Sequence, residues 1–329
     1  MTGFAGMKPG VSGEGAKEKG AKPPGGSSMQ ARGQVRANAL TVDVEDYFQV
    51  LAMAPYVRRD QWDRWPCRVE ASMDRLLQLC ADHRVYGTFF TLGWVAERYP
   101  HIVRRIVAAG HELASHGYGH ERVWEIGPRA FREDLLRARQ LLEDIGGVAV
   151  TGYRAPAFSI GPRTPWAREI LLETGHTYSS SVYPIRHDHY GEPDAPRQAH
   201  WPDGPGGLLE IPPATLRVFG RHLPAGGGGY FRLLPYRASR GALRWISQVE
   251  GQPAVFYIHP WELDAEQPRI PGIDLRTRFR HYLNLGRTEE RLRCLFRDLS
   301  WDRIDRVFAA ELAGSRDWPA GQEVAAQAV

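Results

Sequence analysis

From residue 37 onward, short apolar runs alternate with amphipathic segments, and this alternation constrains the fold more than any other feature of the chain. The apolar runs are predicted strands at residues 39–44, 87–92, 111–115, 148–153 and 254–259. The amphipathic segments are predicted helices at residues 69–81, 100–109, 131–145 and 165–174. Strands that alternate with helices form a mostly parallel sheet or barrel with the helices outside. In such folds the chemistry gathers at the carboxyl ends of the strands.

Composition divides the rest of the chain into segments. Residues 1–36 are rich in Gly, Lys, Pro and Ser and hold all four lysines of the chain, so we expect a disordered tail. This tail could be partly non-native, with the true start at Met29. The main domain is expected at residues 37–265, with an irregular Pro- and Gly-rich insertion at about 185–250. A helical extension at 266–315 and a flexible tail at 316–329 follow.

The overall composition excludes several classes of protein. With 43% hydrophobic and 24% charged residues, the chain of 329 residues is an ordinary globular protein. The net charge of +4 is scattered and argues against a nucleic-acid partner. The three cysteines form no Cys-x-x-Cys pair, which indicates a reducing compartment and no cysteine-based zinc site. Because we find neither a leader peptide nor a membrane-spanning apolar stretch, the sequence predicts a cytoplasmic protein of undetermined oligomeric state.

Two histidines and a group of acids follow predicted strands. His116 and His120 are four residues apart, a spacing that lets two imidazoles reach one ion, although such a pair alone is often an ordinary surface pair. The acids Asp43, Glu45 and Asp46 favour a metal, because crowded carboxylates repel one another unless a cation or an arginine compensates. The alternative is a helix N-terminus, which suits Glu45 and Asp46 better than Asp43.

Two more residues lie where predicted strands end. Arg154 stands in the sequence Arg-Ala-Pro and could fix the direction of a carboxylate, although most arginines in proline turns simply lie at the surface. His259 ends the strand at 254–259. A lone buried histidine is usually structural, but beside the other elements it is a candidate general acid.

Together these elements resemble the polysaccharide deacetylases of the NodB type, carbohydrate esterase family 4. The motifs stand in the family's order: acids after Thr41 and Val42, His-x-x-x-His, Arg-x-Pro, and a late strand that ends in histidine. The resemblance spans roughly residues 37–265 and implies a deformed (β/α) barrel, here with the insertion and the helical extension. Segments 43–48 and 279–284 resemble, more narrowly, the branch associated with exopolysaccharide and exosortase gene clusters.

The resemblance also implies a role for each motif residue. Asp43 would be the general base, Arg154 would orient it, and His259 would be the general acid. His116 and His120 would bind the metal.

The chain departs from the family's pattern at two positions. Val44 stands where the family usually has a metal-binding aspartate, so the carboxylate ligand would be Glu45, with Asp46 as the second choice. Ser180 stands where an aspartate usually supports the acid histidine. Two other acids could take over that support: Asp188 and Asp264.

The resemblance implies metal-dependent hydrolysis of the N-acetyl group of a polysaccharide or its lipid-linked precursor, with release of acetate during exopolysaccharide biosynthesis. Zn²⁺ is the expected ion, and Co²⁺ or Ni²⁺ could replace it. Four residues near strand ends are candidates for contacts with the sugar: Tyr47, Tyr118, Pro156 and Trp261. The arginine-rich face at 276–293 could contact a membrane surface, with a solvated polar face as the alternative.

Two other functions fit part of this pattern. Relatives of the superfamily hydrolyse small cyclic amides on the same fold, and a small closed pocket rather than a long groove would favour that reaction. A catalytically inactive domain that only binds glycan is the other alternative, because the first motif is unusual. Retention of Asp43, Arg154, His259 and both histidines of the pair argues against it.

Overall fold

Strands and helices alternate through the chain as this computed structural model describes it, which is residue 3 and residues 37–188 and 190–314. The strands are β1 (Asn38–Val44), β2 (Thr88–Thr91), β3 (Glu112–Ser115), β4 (Gly152–Tyr153), β5 (Tyr178–Ser179), β6 (Leu209–Glu210), β7 (Thr215–Val218), β8 (Arg221–Pro224), β9 (Val255–Ile258) and β10 (Trp301–Asp302). The helices are α1 (Val69–His83), α2 (Gly93–Arg98), α3 (Pro100–Ala108), α4 (Val123–Gly146), α5 (Ala167–Glu173), α6 (Gly228–Leu233), α7 (Tyr236–Arg244), α8 (Leu275–Tyr282), α9 (Leu285–Asp298), α10 (Ile304–Val307) and α11 (Ala309–Gly314). The predicted tails at 1–36 and 316–329 lie outside the described residues, apart from residue 3.

A parallel sheet of eight strands organises the fold. Its strands follow the order β10-β1-β2-β3-β4-β5-β6, and β9 also pairs with β1. The segment after β6 reaches both edges: Ile211 N donates to Ser179 O at 2.8 Å, and Ala214 N donates to Val255 O at 2.9 Å. These contacts join β5 to β9 through one segment and curl the sheet. The predicted deformed (β/α) barrel is thereby confirmed.

The central strand β1 shows why one edge of the sheet collects polar groups. Along β1 successive side chains point to opposite faces. Leu40, Val42 and Val44 pack in the core that includes α1. The alternate residues face the other way, and Ala39 packs there against residues of β2, β3 and β9. Asp43, with only 3% of its surface exposed, therefore points into the barrel at the carboxyl end of the strand.

The strands and helices predicted from the alternation are present, with shifted ends. The strand predicted at 148–153 shortens to the two residues of β4, and the helix predicted at 131–145 begins earlier, at Val123, with a kink at Gly127. The predicted end of the helix at Gly110 is confirmed, since Gly110 has a φ of 80° directly after α3.

The insertion at 185–250 is more regular than its composition indicates. It contains β6 of the main sheet, the antiparallel pair β7–β8, and helices α6 and α7. Its glycine run is needed where the chain crosses β9: Gly227 has a φ of 118°, and a Cβ there would lie 2.0 Å from Tyr257 O. The helical extension also contains β10, which is too short to show a two-residue period in the sequence. Within the described residues, no helix is long and apolar enough to cross a membrane.

Candidate active site

Three side chains converge at the carboxyl edge of the sheet. Glu45 follows β1, while His116 and His120 follow β3, and each offers a ligand atom within 4.8 Å of the others'. The turn between the histidines uses the left-handed region, with a φ of 72° at Gly117 and 57° at His120. A non-glycine residue in that region is uncommon, and such backbone conformations cluster at functional sites.

His116 is oriented by the backbone of the next motif. Its Nδ1 lies 2.7 Å from Arg154 O. Because a carbonyl oxygen only accepts hydrogen bonds, Nδ1 carries the proton and leaves the Nε2 lone pair free for a ligand. Burial lowers the pKa of His116 to about 4, although Asp43 and Glu45 act in the opposite direction. The neutral form that a metal needs is therefore favoured.

Glu45 is a buried carboxylate that stays charged. Burial alone would raise its pKa, but the nearby His120, His259 and His116 outweigh burial and lower the pKa to about 2. Its Oε2 lies 2.8 Å from His120 Nε2. This oxygen nevertheless has no hydrogen-bond partner among the described residues. A buried, charged oxygen without such a partner, beside two imidazoles, fits a shared divalent cation.

Asp46, the second choice as a ligand, has a different role. Its Oδ2 accepts hydrogen bonds from Arg68 N at 2.6 Å and Val69 N at 2.9 Å, at the beginning of α1. Its Oδ1 accepts from Tyr47 N. The helix N-terminus that the sequence offered as an alternative thus accounts for Asp46, while Glu45 faces the histidines.

Asp43 lies beside this group and is held by Arg154. Arg154 is fully buried, and its Nη1 donates to Asp43 Oδ1 at 2.7 Å. The guanidinium is fixed in turn by Thr41 Oγ1, Ser180 O and Ser180 Oγ at 2.9, 3.1 and 2.8 Å. Ser180 therefore contacts Arg154 rather than His259. Arg154, which the resemblance implies would orient Asp43, does contact Asp43.

His259 approaches the same carboxylates from β9. Its Nε2 lies 3.4 Å from Glu45 Oε1 and 3.9 Å from Asp43 Oδ2. On the opposite side of the ring, Nδ1 lies 2.7 Å from Glu262 Oε1. Burial alone would lower the pKa of His259, but the bond to Glu262 and the charge of Glu45 outweigh burial and raise the pKa to about 9.

A cavity of about 320 Å³ opens over these groups. Its walls include the five residues at its base: Asp43, Glu45, His116, His120 and His259. Trp261 also lines it and stacks with both His259 and His281, at centroid distances of 5.3 and 4.4 Å. Of the four residues predicted to contact the sugar, Trp261 therefore lies in the cavity wall.

The other predicted sugar contacts lie outside its lining. Tyr47 is fully buried in the core, and Pro156 is buried in the turn after β4. Tyr118 lies under the Arg137 guanidinium and donates to Glu97. Different aromatic side chains line the cavity: Phe158, Tyr190, Tyr230, Tyr257 and Phe279. Tyr190 and Tyr230 come from the insertion and Phe279 from the helical extension, whereas Phe158 follows β4 and Tyr257 lies in β9.

Comparison with known proteins assigns the middle of the chain. Residues 61–179 match the polysaccharide deacetylase family, and they include both histidines of the cluster and Arg154. This chain carries a polysaccharide deacetylase domain. Residues 180–309 match a domain of unknown function, DUF3473. The deacetylase match begins after β1, so Asp43 and Glu45 precede it, and His259 follows it.

Curated relatives resemble the deacetylase domain over about a third of this chain. A peptidoglycan deacetylase of Helicobacter pylori is 34% identical over 113 residues, which are 34% of this chain and 38% of the relative. A chitooligosaccharide deacetylase of Sinorhizobium fredii is 37% identical over 109 residues, 33% of this chain and 48% of the relative. The chain thus spans less than half the length of these relatives.

Solved structures share the fold over most of the chain. A Mycobacterium smegmatis protein assigned to the polysaccharide deacetylases superposes with a TM-score of 0.55 at 21% identity, covering 88% of this chain and 96% of that one. Puue allantoinase also gives a TM-score of 0.55, at 16% identity, covering 84% of this chain and 90% of that one. At these identities the likeness establishes the fold.

Sequence reasoning missed two buried residues of the candidate site. Glu262 accepts a hydrogen bond from His259, and Arg232 Nε donates to Glu262 Oε2 at 2.6 Å. The available signal was local: Glu262 lies three residues after His259, at the beginning of a short helical turn. The two acids proposed for this support lie elsewhere, with Asp264 paired to Arg68 and Asp188 to arginines of α8.

Proposed function

We propose that this chain hydrolyses the N-acetyl group of an N-acetylated glycan with the help of a divalent metal ion, releasing acetate. The observation that carries this proposal is the convergence of Glu45, His116 and His120 within 4.8 Å. Asp43 and His259 line the same cavity as these three residues. A metal-ligand set between a candidate base and a candidate acid supports the hydrolysis of an amide.

The proposed ion is Zn²⁺, because two imidazoles and one carboxylate form a ligand set that leaves positions open for catalysis. Co²⁺ or Ni²⁺ could bind the same donors. When bound, such an ion increases the acidity of water and polarises a carbonyl oxygen. The buried Glu45 Oε2, which lacks a hydrogen-bond partner among the described residues, supports this assignment.

The protein's own groups supply the proton transfers. Asp43 accepts a proton from the attacking water, and the hydrogen bond from Arg154 keeps its carboxylate directed into the cavity. His259 gives a proton to the departing nitrogen from Nε2, the ring atom that faces Asp43 and Glu45. Because an amine is a poor leaving group without that proton, the acid matters as much as the base.

The names of the relatives support a glycan substrate, since they include peptidoglycan and chitooligosaccharide deacetylases. The finer proposal is an exopolysaccharide or its lipid-linked precursor, which rests on the resemblance of segments 43–48 and 279–284 to the exopolysaccharide branch. Helix α8 lines the cavity through Phe279 and Arg280 and could bring it near anionic headgroups. A cytoplasmic location and a peripheral membrane contact belong to the same proposal.

Hydrolysis of a small cyclic amide is the second candidate. It is favoured by the cavity volume of about 320 Å³, which is near the lower limit for ligand pockets. The fold likeness to an allantoinase points the same way. Under either candidate, the metal ligands, base and acid keep their roles.

The test combines metal analysis with acetate release. Purified protein is examined for bound ions and is given N-acetylglucosamine oligomers, with and without a chelator. We expect one ion per chain, acetate release that the chelator abolishes, and loss of both in His116→Ala. Binding of the oligomers without acetate release would support a glycan-binding domain instead, and turnover of cyclic amides alone would support the second candidate.

A further inference from the structure

We propose that Glu262, held in place by Arg232, is the positioning residue for His259 and replaces the aspartate that stands in this role elsewhere in the family. The inference rests on the proposed deacetylation and adds to it the group that orients the acid. It also assigns a role to the segment that matches the domain of unknown function, because residues 180–309 contain Arg232, His259 and Glu262.

Glu262 holds the histidine at two points. Glu262 Oε1 accepts from His259 N at 3.1 Å and from His259 Nδ1 at 2.7 Å. A carboxylate that binds both the backbone and the ring fixes the rotation of the imidazole. With Nδ1 committed to Glu262, only Nε2 faces the cavity, where the proposed proton transfer takes place. Glu262 is 1% exposed, so water does not compete for these bonds.

Arg232 holds the glutamate in turn. Its Nε donates to Glu262 Oε2 at 2.6 Å, while its Nη1 donates to His281 O at 2.7 Å and Leu283 O at 3.0 Å. The two carbonyls fix the guanidinium in space, and its charge compensates the buried carboxylate. Burial alone would raise the pKa of Glu262, but Arg232 and His259 outweigh burial and lower that pKa to about 2.

The ring of His259 is held on its face as well as its edge. Trp261 stacks on the His259 ring at an interplanar angle of 25°, and His281 stacks on Trp261 at 13°. His281 Nε2 is bound to Gln267 Oε1 at 2.8 Å. The segment 180–309 therefore supplies a stack and a hydrogen-bonded chain that end at one imidazole.

The proposed chemistry makes this role separable from folding. In amide hydrolysis, a C–O bond to water forms, the C–N bond breaks, the water proton goes to Asp43, and a proton from His259 Nε2 goes to the nitrogen. In hydrolysis of 4-nitrophenyl acetate the nitrophenolate leaves without a proton. A residue that acts by positioning His259 is thus needed for the amide far more than for the activated ester.

The experiment compares Glu262→Gln with Asp264→Asn on both substrates in the zinc-loaded full chain. Asp264 is a matched control, since it is a buried acid near the same turn whose partner is Arg68, at 2.7 Å. We expect Glu262→Gln to lower kcat for the N-acetylated oligomer by about 10- to 100-fold with little change in KM. We expect only a small loss on the ester, and the pattern of His259→Ala should be the same. Asp264→Asn should show no such selectivity.

A second variant and a second measurement distinguish the positioning role from a general loss of folding. Arg232→Lys keeps the charge but not the two carbonyl bonds, and should show a smaller selective loss. In protein labelled with ¹⁵N-histidine, the His259 Nδ1 proton should be slow to exchange in the wild type and lost in Glu262→Gln, whether or not any substrate is turned over. Equal losses on amide and ester, or an unchanged Nδ1 proton, would overturn the positioning role. An inactive wild type with the protected proton would overturn the deacetylase proposal alone.

Discussion

Two buried glutamates near opposite ends of strand β3 have opposite electrostatic states: Glu112 lies in β3 itself, and Glu45 lies in the segment that follows β1. At the amino end of β3 Glu112 begins the strand, and at its carboxyl end the strand leads to His116 beside Glu45. Both carboxyl groups are buried. Yet the pKa of Glu112 is raised to about 7 and the pKa of Glu45 is lowered to about 2. Burial alone therefore does not set the charge of a carboxyl group.

The difference lies in the partners. Glu112 accepts from neutral donors, Thr88 Oγ1 at 2.5 Å, Tyr178 Oη at 2.8 Å and Asp305 N at 3.2 Å. These bonds do not offset burial and the nearby charge of Asp305, which together raise its pKa. Glu45 instead faces imidazoles, which can carry positive charge. Glu112 and its three donors form an amino-end cluster that joins β2, β3, β5 and the start of α10. Glu45, His116 and His120 form a carboxyl-end cluster, in which the charge of Glu45 can hold a cation.

The largest expected effect is a difference in deacetylation rate between substitutions at the two ends of the sheet. Asp43→Asn should lower deacetylation by about 100-fold or more, because a positioned base is removed. Glu112→Gln, at the opposite end of the sheet, should leave turnover near that of the wild type. The measurement is kcat for acetate release at pH 7, with circular dichroism as the folding control. Turnover by Asp43→Asn near the wild-type value would remove Asp43 from the mechanism.

Metal binding should stabilise the fold only through the carboxyl-end cluster. Zn²⁺ at one hundred times its Kd raises the free energy of unfolding by about 2.7 kcal/mol when it binds the folded state alone. The Tm of the wild type and of Glu112→Gln should rise on Zn²⁺ addition, and that of His116→Ala should not. A rise retained in His116→Ala would place the ion elsewhere.

The amino-end cluster should make stability depend on pH. The folded pKa of Glu112, about 7, exceeds the ordinary value of 4.5. Its contribution is therefore fully present below pH 4.5 and is lost as the pH rises through 7, by at most about 3 kcal/mol. Thermal unfolding between pH 4.5 and 8 should show this loss in the wild type and a smaller one in Glu112→Gln. Parallel pH profiles would show that Glu112 titrates normally.

The smallest expected effect tests one neutral donor. Tyr178→Phe removes the hydroxyl that donates to Glu112 Oε1 and should cost about 1 kcal/mol of unfolding free energy. Because that bond favours the charged carboxyl, its loss should move the pH-dependent loss of stability to higher pH. Urea unfolding at two pH values measures both changes. Deacetylation should not change, and a large loss of turnover would mean that the two clusters are coupled.

Much of the fold and the base of the site could be read from local sequence. Alternating periods predicted the strands β1 to β4 and β9 of the sheet, and the residues after them predicted which side chains meet at the carboxyl edge. Parallel strands bring their carboxyl ends to one side, so Asp43, His116, Arg154 and His259 are placed by local pattern and topology together. The short strands β5, β6 and β10 were missed because two residues carry no measurable period.

Other features of the site depend on tertiary contacts and could not be predicted from the sequence. The sequence left Glu45 and Asp46 as alternatives, and in the structure Asp46 binds the N-terminus of α1 while Glu45 lies beside the two histidines. The support of His259 came from Arg232 and Glu262, which are brought together only when the insertion folds against the turn after β9. Periodicity and spacing report which face of its own element a residue occupies. They do not report which distant segment covers that face, because such contacts depend on the packing of the whole chain.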